Sequence, residues 1–84
     1  MKLEVMRNIF IDFFNVDYGS ICDSDGNIEL INIQENKKKS VKYTAEDNHL
    51  QILEWDWNEE FPVNTIIEGS PEDIIKLAKL LQDD

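Results

Sequence analysis

The stretch LQILEWDWNEEFP, from Leu50 to Pro62, decides how the rest of the chain is read. Side chains alternate across a strand, so as a strand it sets Leu53, Trp55 and Trp57 on one face and Leu50, Ile52, Glu54 and Asp56 on the other. It opens apolar on both sides and closes with an aromatic face backed by an acidic one. Asn58, Glu59, Glu60, Phe61 and Pro62 then make an acidic exit loop.

Short strands and short turns surround it. Upstream, Val41 to Thr44 and Ile28 to Gln34 read as strands, joined by a polar turn over Glu35 to Ser40 that holds Lys37, Lys38 and Lys39. Asp23 to Asn27 is a hairpin turn with Gly26 at the position that needs positive φ, and Ser20 to Cys22 is the short strand before it. Ala45 to His49 is a third turn. Downstream, Val63 to Glu68 is the last strand. This spacing predicts an antiparallel meander of four or five strands.

The ends of the chain predict helices. Over Leu3 to Val16, Glu4, Arg7, Asn8, Asp12 and Asn15 share one arc, opposite Val5, Met6, Ile9, Phe10, Phe13 and Phe14; only Ile11 sits on the wrong side. The period favours a helix, whereas the Ile, Phe and Val content favours a strand. A helix is expected, with Gly19 as its terminator. At the other end, Ser70 is placed as an N-cap, Pro71 as the first helical residue, and Glu72 and Asp73 near the positive end of the helix dipole. Ile74, Leu77, Ala78 and Leu81 form an apolar stripe, widened by Ile75 and Leu80, with Lys76 and Lys79 on the solvated face. So wide a stripe calls for cover from the sheet and from something else. The expected architecture is a single α+β domain over residues 1–84, with both helices on one face of the sheet.

Eighty-four residues bury only about two thirds of their unfolded surface, so stability is modest and pairing with another molecule would add to it. No apolar run has the length of a membrane span, and Met1–Lys2 is not followed by the charge-free apolar run of a signal peptide. A lone Cys22 makes no internal disulfide, which fits a reducing cytoplasm. An excess of Ile, Asn and Lys, with seven Lys to one Arg, suggests an AT-rich genome such as that of a low-GC bacterium or a mobile element.

Charge is the strongest compositional signal. Eighteen acids against eight bases give −10, which disfavours nucleic acid and anionic membrane as partners and favours a basic protein. Nine of the acids lie between Glu46 and Asp73, an interval without Lys or Arg. The candidate partner-binding residues are Glu46, Asp47, Glu54, Asp56, Glu59 and Glu60, with Trp55, Trp57 and Phe61 as desolvated anchors. The expected function is that of a small acidic inhibitor, DNA-mimic-like or nuclease-immunity-like, blocking a basic, nucleic-acid-binding site on a partner such as a nuclease or another nucleic-acid-binding protein, as phage-encoded inhibitors of host DNA-processing or defence enzymes do. The alternative is a structural domain that self-associates as a homodimer, its acids serving only solubility.

Other chemistry finds little support. Asp23, Asp25 and Asn27 resemble the start of a calcium loop, but the twelfth position, which needs a bidentate carboxylate, is Gln34. One His and one Cys make neither a zinc site nor a catalytic pair. No enzyme activity, metal or cofactor is expected. The lysines at 37, 38, 39 and 42 form the one basic cluster and make the molecule dipolar.

Overall fold

The computed structural model describes residues 1–56 and 63–82. Of the predicted site, Trp57, Glu59, Glu60 and Phe61 lie outside the described residues. The chain runs α1 (Leu3–Phe14), β1 (Ser20–Ser24), β2 (Asn27–Gln34), β3 (Lys37–Thr44), β4 (His49–Asp56), β5 (Val63–Gly69) and α2 (Pro71–Gln82). The five strands form one antiparallel sheet in chain order, and the fold is α+β.

Strand alternation gives the sheet two unlike faces. Leu30, Val41, Ile52 and Ile67 form one cross-strand row and Ile28, Tyr43 and Leu50 the next, all on the face that carries the helices. Met6, Ile9 and Phe10 of α1 and Ile74 of α2 close over these rows and complete the core. Phe10 is fully buried and meets Phe14 edge to face, ring centroids 4.9 Å apart. Burial of side chains this size contributes about 1.5–3 kcal/mol each, which is why the helical period outweighs the β propensity of the same residues. On the other face Ile31, Ser40 and Leu53 make the central row, flanked by Ile33, Lys38 and Trp55.

Two expectations need correction. The lysine cluster is not in a turn. The β2–β3 connection is only Glu35 and Asn36, with Glu35 at φ 56°, and Lys37 to Lys39 are the first residues of β3. Lysine is tolerated there because Lys37 stands directly across from Asp56 and Lys39 from Glu54, while Lys38 lays its ammonium 4.1 Å from the centre of the Trp55 ring. Opposite charges and an aromatic platform replace the burial those positions lack.

The first helix also stops earlier than predicted. Asn15 takes the left-handed conformation at φ 57° and donates its N–H to the Ile11 carbonyl at 2.8 Å, so that α1 ends at Phe14 rather than at Gly19. The connection to β1 is then held by Asp17. Its carboxylate accepts a fork of bonds from Arg7, the shortest 2.7 Å, and its backbone carbonyl accepts the Asn32 side-chain amide at 2.9 Å. The hydrogen bonds from Arg7, with a smaller one from the Tyr18 N–H, outweigh desolvation and hold the Asp17 carboxyl below the usual carboxylate range. A depressed folded-state value means the contribution is complete above the ordinary carboxylate range and is lost as pH falls through the folded value. In urea melts, Asp17→Asn is therefore expected to destabilise the protein at pH 7 and to narrow its gap to the native chain below pH 3, a bound set by the ordinary Asp value of about 3.9.

Helix α2 begins as its sequence prescribes. The Ser70 Oγ accepts the Asp73 N–H at 3.3 Å, and Glu72 and Asp73 sit in the first turn. Ser70→Ala is expected to cost about 1 kcal/mol, measured as a lower urea midpoint at unchanged slope.

Candidate functional site

In a meander every second turn returns to the same end of the sheet. The β1–β2 turn, Asp25–Gly26, and the β3–β4 turn, Ala45 to Asn48, are neighbours for that reason. Asp25 at φ 53° and Gly26 at φ 83° form the mirror-image turn that the twist of a two-residue hairpin requires. A Cβ on Gly26 would stand 3.3 Å from the Ala45 side chain, so the two turns touch. They are also hydrogen-bonded: the Asn27 side-chain oxygen accepts the Ala45 N–H at 2.9 Å. Within the second turn, the Tyr43 hydroxyl donates to the Asn48 side-chain oxygen at 2.9 Å.

This junction gathers carboxylates. Asp23 and Asp25 come from the first hairpin, and Glu46 and Asp47 from the second, all exposed. The first turn of α2 joins them. Gly69 pairs with Leu50, so Ser70, Glu72 and Asp73 emerge at the end where β4 begins. Glu68, on the same end of β5, accepts the Gln51 side-chain amide at 3.2 Å and lies 3.7 Å from His49 Nε2.

The predicted site residues are thereby divided. Glu46 and Asp47 stand at this end. Glu54, Trp55 and Asp56 stand at the other, about 20 Å away along β4 at 3.3 Å per residue. There Glu54 and Asp56 face Lys39 and Lys37 on the helix side of the sheet. Trp55 faces the opposite side, half-buried under Lys38. Along β4 the register sets the lysines of β3 across from the second pair of acids.

Sequence reasoning passed over Asp23 and Asp25 as parts of the site. The only signal for them was topological: a hairpin turn two strands away from Glu46 must share its end of a meander. Among the described residues no group of three His, Cys, Asp or Glu side chains is placed to hold a metal ion, and no helix is long and apolar enough to cross a membrane. Comparison with protein-family models, with curated proteins and with solved structures finds no match to this chain.

Proposed function

We propose that this chain is a small acidic binding protein that occupies a basic, nucleic-acid-binding site on a partner protein, and that it engages this site with the end of the sheet formed by the two joined turns. The observation that carries the reading is the junction itself. Asp25, Glu46 and Asp47 project from turns that are hydrogen-bonded to each other, and Glu72 and Asp73 add to them from α2. Like charges repel by up to about 1 kcal/mol per exposed pair at contact distance in water, and an oppositely charged partner reverses whatever part of that cost the shared end carries. Carboxylates gathered at one end of a sheet also steer the approach of a basic groove and set its orientation. The role is binding rather than catalysis.

The test is capture of binding proteins from a cell lysate by the immobilised chain, at low and high salt, beside a variant with Asp25→Asn, Glu46→Gln and Asp47→Asn. A basic nucleic-acid-binding protein should be retained by the native chain at low salt, released at high salt and missed by the variant. A partner held equally by both chains, or one without a basic surface, overturns the reading.

A further inference from the structure

A different surface, independent of the acidic end, remains to be covered. The sheet has two edges. β1 is short, five residues, and carries Asp23, a common way of blunting an edge. β5 is longer, seven residues, and from Asn64 to Ile67 it bears no charge. A bulge opposite Ile52 and Leu53 adds one extra residue to this strand, and Ile66 there is 45% exposed. Helix α2 packs on β4 and β5, and α1 on β2 and β3. The two helices approach each other through Ile75, Ala78 and Lys79 of α2, which line the groove shared with Val5 and Ile9 of α1. By helical geometry the side of α2 that carries Leu77 and Leu81 therefore points away from α1, toward the outer edge of β5. Leu77, Leu80 and Leu81 are 38%, 65% and 54% exposed.

From this placement we infer that a second copy of the chain covers the β5 edge and the outer flank of α2, in a two-fold dimer with β5 antiparallel to its counterpart. An exposed strand edge beside an apolar helix flank is best matched by another strand edge beside another such flank, and a two-fold axis normal to the sheet supplies both at once. Strands pair about 4.8 Å apart, so helices seated over the β4–β5 pair come to roughly 10 Å from each other across the axis. That is an ordinary helix-packing distance, with Leu77 and Leu81 meeting their equivalents. Because the bulge interrupts the edge, the strand pairing is short and the leucines supply much of the apolar burial. The arrangement limits the repulsion between two −10 copies. An antiparallel arrangement sends the two acidic ends in opposite directions, and Lys76 and Lys79 fall outside the contact.

Sedimentation equilibrium of the full chain, with Cys22→Ser to exclude disulfide linkage, tests the inference. The expected mass is twice 9.8 kDa at concentrations on the order of 100 μM, and association should strengthen in high salt as the repulsion between the −10 copies is screened. Ile66→Lys and Leu81→Lys, both at exposed positions, should each give a monomer that retains the native circular dichroism. Ile21→Lys, at the opposite edge, should leave the dimer intact. A native chain that is monomeric at that concentration, or a dimer broken by Ile21→Lys and not by Ile66→Lys, overturns the inference. The response to salt is opposite in sign to that expected for partner capture, so the two readings fail separately.

Discussion

Replacing Phe10 by alanine is expected to lower the stability of the native chain by about 3–5 kcal/mol, the range for deleting a buried aromatic ring. The ring is fully buried, it packs edge to face on Phe14, and it belongs to the cluster that joins α1 to Leu30, Val41 and Ile52. The loss combines the transfer free energy of the ring with the cavity left between helix and sheet. An 84-residue domain has on the order of 4–13 kcal/mol in total, so the variant is expected to be marginal or unfolded at 37 °C. Urea denaturation followed by tryptophan fluorescence and by circular dichroism measures the effect. A loss below about 1 kcal/mol, the size typical of surface changes, would mean that α1 does not seal the core as described. Ile11, which lies off the apolar arc of the same helix and is only partly buried, is the matched control.

The second large effect concerns association with a basic partner. Reversing Asp25, Glu46 and Asp47 to lysine changes the local charge by six units at one end of the sheet while touching no core residue. Steering of this kind accelerates encounter by about 10- to 1000-fold, so the association rate of the triple variant is expected to fall by at least tenfold at low salt. The dissociation rate should change less, and the difference between the chains should shrink as salt is added. Reversing Glu54 and Asp56 is the informative comparison. These two face Lys39 and Lys37 at the far end, so their reversal should disturb the sheet more than the encounter. Equal losses of association rate from the two sets, with both variants folded, would remove the turn end from its assigned role. Stability of this lysine variant should be unchanged or slightly higher, because the new lysines attract the remaining acids of that end, Asp23 among them, and the net charge of −10 is reduced.

The difference between the two sets of acids shows where reading the chain one residue at a time stops. Glu46, Asp47, Glu54 and Asp56 are close in sequence and share an interval free of lysine and arginine, so local counting merges them. The register separates them. Lys37 and Lys39 precede the interval in the chain but lie directly across β3–β4 from its later acids. The lysines of β3 are hidden from local counting in the same way. A run of three lysines has little strand propensity, and only pairing with Asp56 and Glu54, together with the Trp55 ring under Lys38, accounts for its extended conformation. Helix α1 ends ahead of Gly19 for a local reason: Asn15 adopts the left-handed conformation before the chain reaches the glycine.

Much of the molecule follows from the amino-acid sequence by itself. Periodicity and turn chemistry specify two helices, a meander and the capping of α2, because each depends on residues within a few positions of one another. The alternation in Leu50 to Asp56 likewise assigns each side chain of β4 to its face. Tertiary packing settles which charges become neighbours and which apolar residues are left uncovered. Asp25 shares an end of the sheet with Glu46 and Asp47 because alternate turns of a meander converge, and Leu77 and Leu81 stay outside because α1 takes the other flank of α2. Charge and apolar area act through space rather than along the chain, and spacing in the sequence does not encode them.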